Sequence, residues 1–315
     1  MENLIKKIKF HINTITIKKR LIIASFLLYN IMRYFDMIKD KLGDRMKHNY
    51  EEVSKMRLTH RMPVIIRLDG KAFHTFTRGF KKPFDEVFNK AMQSTMKYLC
   101  ENIQGCVLGY TQSDEITLVL IDYQTLETSA WFDYEVQKMC SVSASMATLA
   151  FNNYFNEYYL ESIAEKCGEL DDYDLAHDAA RKKGAMFDSR CFNIPKEEVA
   201  NCILWRQLDA ERNSINTLAQ SLFSHKSLQG LGRKEIIAKM ETEKGIIWKD
   251  LPTTQKRGSC CIKKTEVAKE WVEDVGNDLG IIHKEYKSYW FIDNEIPLFK
   301  EEGRNYVEKL IMVGE

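Results

Sequence analysis

The sequence predicts an α+β protein, an antiparallel sheet with helices on one face followed by a mainly helical second half. Three observations carry this. From residue 64 to residue 155 the apolar pattern runs strand, helix, strand, strand, helix. Only Thr111-Gln112-Ser113-Asp114-Glu115 separates the second strand from the third, a gap that suits a hairpin and is too short for a parallel crossover. After Pro195 the apolar residues recur mainly at helical spacing.

The elements follow in order. Lys39 to Met56 reads as a helix of mixed polarity. Past Pro63, Val64-Ile65-Ile66-Arg67-Leu68 is a strand, ended by Asp69-Gly70. Pro83 opens the next element, a helix from Asp85 to about Cys100, on which Val87, Phe88, Ala91, Met92, Thr95, Met96 and Leu99 share a face. Gly105 stops it. Cys106 to Tyr110 and Ile116 to Ile121 are the hairpin strands, and a long helix is expected from about Glu127 to Phe155. In the second half, Ala185 to Ile194 reads as a strand and Pro195 to Phe223 as a long helix. Arg233 to Lys244 is a further helix, and Ser259–Lys263 and Ser288–Ile292 are late strands. The acidic, polar stretch from Asn156 to Asp174 marks the division. It gives an extension over residues 1–36, a first domain over 37–165 and a second over 166–315.

Composition narrows the class. A chain of 315 residues with 44% hydrophobic residues folds around a real core. The net charge of +1 means that any polyanion site is a local patch, for which Lys81-Lys82 and Arg181-Lys182-Lys183 are candidates, as well as ordinary solvated runs. The eight cysteines form no CxxC pair and no zinc spacing with His, and read as reduced residues of a reducing compartment. Residues 1–36 are rich in Lys and Ile and almost free of acid. Their apolar run, Leu21 to Met32, is too short to span a bilayer comfortably, so no stable membrane association is expected. It reads as an added amphipathic helix, as sequence upstream of a true start at Met37, as the core of a signal peptide, or as part of an organelle-targeting segment. The cytoplasm is the default location.

The chemistry lies in the acidic residues. Asp69 ends an apolar strand, and Asp114 and Glu115 sit at the hairpin tip. If that strand lies beside the hairpin, the three carboxylates converge and repel one another unless a cation joins them. Hard divalent cations take oxygen ligands, and two such ions can serve an in-line displacement at phosphorus. Each segment taken alone is also what an ordinary turn requires. On the helix after the hairpin, Lys138, Ser141 and Ser145 fall at i, i+3 and i+7, a face that suits a triphosphate or simply water. His74 stands in the loop after Asp69. There is no GxxxxGK[ST], no GxGxxG after a strand, no HExxH and no GxSxG.

These residues carry a resemblance. Arg67-Leu68-Asp69-Gly70-Lys71-Ala72-Phe73-His74 resembles the first metal motif of the tRNA(His) guanylyltransferase family, and Tyr110-Thr111-Gln112-Ser113-Asp114-Glu115 its second acidic motif. Lys138, Ser141 and Ser145 match that family's Lys-and-two-Ser helix. Phe187-Asp188-Ser189-Arg190 and Trp205-Arg206-Gln207-Leu208-Asp209 look like its later signatures. Order and spacing agree across roughly Asp44 to Lys263.

The resemblance implies a polymerase-palm-like catalytic domain and a C-terminal domain of the tRNA-guanylyltransferase type, assembled as a homotetramer. It implies that tRNA is the partner, and that ATP, GTP and other nucleoside triphosphates are substrates. By the family pattern Asp69, the Gly70 carbonyl and Asp114 hold two Mg²⁺, with Glu115 supporting the site. Asp69, Gly70, Lys71, Ala72, Phe73, His74, Ser113 and Asp114 would contact the nucleotide, together with Lys138, Ser141 and Ser145. In that scheme ATP first activates a 5′-monophosphate as an adenylylated end, and the 3′-hydroxyl of the incoming nucleotide then attacks it. One departure stands out. Where eukaryotic members carry His-Ile-Asn-Asn, this chain reads Glu211-Arg212-Asn213-Ser214. This looks like the guanylyltransferase-like branch, which repairs truncated tRNA 5′ ends by templated 3′-to-5′ addition. The alternatives are addition of a single G to tRNA(His), a nucleotide cyclase on a similar palm, and a non-catalytic tRNA-binding protein.

Overall fold

The β-branched and apolar runs form six strands: β1 (Val64–Gly70), β2 (Cys106–Gln112), β3 (Glu115–Leu120), β4 (Phe187–Asn193), β5 (Ser259–Asp274) and β6 (Gly280–Asp293). The structure, a computed structural model, describes Ser25, Tyr29 and residues 41–164, 166, 170–274 and 280–314. The strands make one antiparallel sheet in the order β4-β1-β3-β2-β5-β6. β1 is thus a central strand, between β3 of its own half and β4 of the other. The division at residue 165 marks a change in sequence character rather than a break in the sheet.

Helices α1 (Glu86–Asn102) and α2 (Val136–Ala164) cover one face, as the sequence predicts. There Ile66, Leu68 and Leu118 meet Met92, Met96, Met139 and Phe151. Asp85 caps α1, accepting the Phe88 N–H at 2.9 Å. The other face is covered from the C-terminal half. Ile65, Tyr110 and Val119 pack on Val199, Ala200 and Ile203 of α4 (Lys196–Leu222), which follows α3 (Asp172–Lys183). Beyond the sheet the far end of α4 packs Ile215 and Leu218 on Ile236 and Met240 of α5 (Arg233–Lys244) and on Trp248.

Some boundaries move. The long helix begins at Val136 rather than near Glu127 and runs on to Ala164. The preceding turn, Trp131–Tyr134, buries Trp131 and Tyr134, and the Tyr134 carbonyl accepts the Leu58 N–H at 3.0 Å. Burying those rings fixes the turn and delays the helix. β5 and β6 reach well past Lys263, where the ribbon is largely exposed and the sequence loses its apolar alternation. Residues 41–54 form a separate unit of consecutive short helical turns. Lys39 and the expected extension over residues 1–36, apart from Ser25 and Tyr29, lie outside the described residues, as does Cys167. The other seven cysteines are free.

Candidate active site

Register places the acids. Asp69 of β1 stands opposite Glu115 of β3 on one side and Asp188 of β4 on the other. Opposed residues of an antiparallel ladder share a face, so all three belong to the face that α4 covers. Two of them have their own cations. Arg206 on α4 holds Glu115 with two bonds, Nε to Oε1 at 2.6 Å and Nη2 to Oε2 at 2.8 Å. Asp188 accepts from Arg190 Nη2 at 2.8 Å. The cation that joins Glu115 in this structure is therefore a guanidinium. Among the described residues Asp69 and Asp114 carry no ion pair.

Those two acids lie close together. β2 and β3 are joined by Ser113 and Asp114 alone, with Ser113 at φ 49° as a two-residue hairpin loop allows. The Gly70 N–H donates to the Asp114 carbonyl at 3.0 Å, which ties the hairpin tip to the end of β1. Burial pushes the Asp114 carboxyl above its usual range, and the Asp69 charge adds to the rise. Burial also raises Glu115, against the opposing pull of Arg206. Two half-buried carboxylates at one place, Asp114 raised in part by the charge of Asp69, with backbone oxygens beside them, suit a hard divalent cation.

The loop after β1 is set by packing. A Cβ on Gly70 would come within 2.3 Å of the Phe73 ring, so the glycine is required by that ring whatever else it does. Phe73 is buried against Phe76, Phe88, Phe151 and Phe187. Ala72 enters the left-handed region at φ 56°, and the Lys71 N–H donates to the Met186 carbonyl at 2.8 Å. His74 is exposed, with Nε2 3.0 Å from the Thr75 hydroxyl.

Phe73, His74, Ser113 and Asp114 line one cleft of about 620 Å³, with Lys81, Lys82 and Asn213 also on its walls. That volume suits a small-molecule ligand. The basic pair Lys81-Lys82 thus borders the acidic end of the sheet. Lys138, Ser141 and Ser145 do not line this cleft. They form an exposed stripe on α2, which packs on the opposite sheet face. Ser145 Oγ donates to the Ser141 carbonyl at 2.8 Å, and Lys138 lies 3.6 Å from Glu135. Sequence reasoning gave no role to Asp188 or Arg206. Arg206's partner Glu115 and the strand neighbour that brings Asp188 beside Asp69 are remote in the chain, so local spacing does not reveal them.

Comparison with known proteins fits this geometry. The family model for tRNA(His) guanylyltransferase matches residues 43–195. A bacterial tRNA(His) guanylyltransferase-like protein solved in complex with ATP superposes with a TM-score of 0.69 at 40% identity, over 86% of this chain and 99% of that one. A second such structure, in complex with GTP, gives a TM-score of 0.66 at 38% identity, over 87% of this chain and 100% of that one. The tRNA(His) guanylyltransferase of Candida glabrata is 25% identical over 239 residues, 70% of this chain and 92% of its own length. Fold, acidic pair and kinship agree, and the chain belongs to the tRNA(His) guanylyltransferase family of nucleotidyltransferases.

Proposed function

We propose that the protein is a Mg²⁺-dependent nucleotidyltransferase that extends the 5′ end of a tRNA in the 3′-to-5′ direction, choosing each nucleotide by the base opposite the gap. The observation that carries the metal-dependent transfer is the pair Asp69 and Asp114, two carboxylates without ion pairs beside a nucleotide-sized cleft; the direction of addition comes from the family pattern. With the Gly70 carbonyl they would hold Mg²⁺, which when bound stabilises charge developing at phosphorus. Glu115 supports the site from the neighbouring position.

The nucleotide's seat is the loop Asp69 to His74 with Ser113 and Asp114; the exposed α2 stripe of Lys138, Ser141 and Ser145, which lies off this cleft, would take a separate triphosphate, as the family pattern implies. ATP and GTP serve as substrates, as the ligands of the bacterial relatives support. The assembly is a homotetramer, by the family pattern. The templated reading rests on the sequence at residues 211–214, where Glu211-Arg212-Asn213-Ser214 stands in place of the eukaryotic His-Ile-Asn-Asn. Glu211 pairs with Arg257 at 2.9 Å, and Ser214 Oγ accepts the Trp248 indole N–H at 3.0 Å. Their internal partners leave Asn213 as the more available polar group on the cleft wall. The names of several relatives favour a second reading, addition of a single G to tRNA(His).

A tRNA lacking its first nucleotide separates the two. Incubated with Mg²⁺, ATP and each nucleoside triphosphate in turn, it is expected to receive the nucleotide complementary to the base opposite the gap. Addition of G alone, only to tRNA(His) and whatever stands opposite, would establish the single-G reading.

A further inference from the structure

Glu115 directly follows Asp114 and stands opposite Asp69 in the β1–β3 register. Opposed residues of such a pair have Cβ atoms about 4.5–5.5 Å apart, so a glutamate here could reach a cation lying between the two aspartates. Its carboxylate is instead turned to α4, with both oxygens taken by Arg206 at 2.6 and 2.8 Å. We propose that Arg206 is a positioning residue that holds Glu115 out of the metal's coordination shell, so that two carboxylates and not three meet the cations. This rests on the reading of Asp69 and Asp114 as metal ligands.

The clamp is built to stay closed. Glu115 and Arg206 are each only 8% exposed, so water does little to screen their paired bonds. Arg206 is held from two further sides. Nη2 also donates to Asp209 at 3.0 Å, and the guanidinium lies over the Trp205 ring, 4.4 Å from its centroid. The next residue, Gln207, fixes the helix at this height. Its Nε2 donates to the Pro297 carbonyl at 2.8 Å and its Oε1 accepts the Phe299 N–H at 2.9 Å. Mg²⁺ at phosphoryl-transfer sites typically takes one or two carboxylates and leaves its remaining positions to water and substrate phosphates. A third carboxylate would bind the ion more tightly and fill a position the substrate needs.

The test is direct Mn²⁺ binding to the full chain, read by electron paramagnetic resonance without nucleotide, alongside the rate of nucleotide addition. In Arg206→Gln the freed Glu115 is expected to tighten Mn²⁺ binding about tenfold, the scale on which residues behind a metal's ligands change its affinity, while addition slows. The double variant Glu115→Gln/Arg206→Gln, which has no stranded carboxylate, is expected to bind Mn²⁺ as the wild type does and to regain part of the lost rate. A folded Arg206→Gln protein with unchanged or weaker Mn²⁺ binding would overturn the proposal. If the single variant fails to fold because a buried charge is stranded, the double variant decides. Wild-type Mn²⁺ affinity supports the proposal, and a tenfold loss shows that Glu115 is itself a ligand and overturns it. Asp69→Asn/Asp114→Asn tests the underlying reading. If it binds Mn²⁺ like the wild type, the metal site itself is misplaced, independently of Arg206.

Discussion

At the scale of single residues, the proposed metal site rests on the two unpaired aspartates. Removing one relieves repulsion in the metal-free protein. Asp69→Ala or Asp114→Ala is therefore expected to abolish nucleotide addition while the melting temperature holds or rises, and wild-type rates from either would move the chemistry elsewhere. Asp114 also predicts a pH dependence. Its carboxyl is raised above 3.8, first by burial and then by Asp69. The folded protein keeps that proton at pH values where the unfolded chain has released it. Its contribution to stability therefore falls as pH rises from 3.8 through the raised value. Thermal melts across this range in chelator should show the slope in the wild type and a flatter one in Asp114→Asn. Gly70→Ala should cost about 1–3 kcal/mol through overpacking against Phe73, read by urea unfolding; full stability would show that the ring can slide aside. The sequence made Asp69 and Asp114 legible because both stand where apolar strands end. Arg206 was only a motif residue until α4 was seen to cross the sheet.

At the scale of elements, strands and helices with strong apolar periodicity were legible nearly to their ends. α1 runs over Glu86–Asn102 where its spacing predicts Asp85 to about Cys100, and α4 begins at Lys196, just after Pro195. Elements whose ends depend on distant contacts were not. α2 starts late because the Trp131–Tyr134 turn is pinned to Leu58, and the β5–β6 ribbon outruns its apolar core. α2 carries the prediction proper to this scale. Ser145→Leu crowds the exposed stripe with Lys138 and Ser141, and should raise the nucleotide KM with little change in stability. An unchanged KM would separate that stripe from the phosphate site.

At the scale of the whole molecule, the unit from Met56 onward contains every element of the sheet and the cleft. Deleting residues 1–36 should leave its melting temperature and its activity in vitro unchanged; a fall in either would tie the extension to the core. Among the described residues no helix is long and apolar enough to cross a membrane. The interleaving of the halves was the least legible property, because strand order across a sheet is not written in local periodicity. It also bears on the gene. A chain stopped by a nonsense codon near residue 165 would keep Asp69 and Asp114 but lack β4, α4 and Arg206. It would expose the unpaired backbone of β1 along its length, an edge that recruits other copies. A search for a minimal active fragment among such truncations should therefore yield inclusion bodies rather than a slower enzyme.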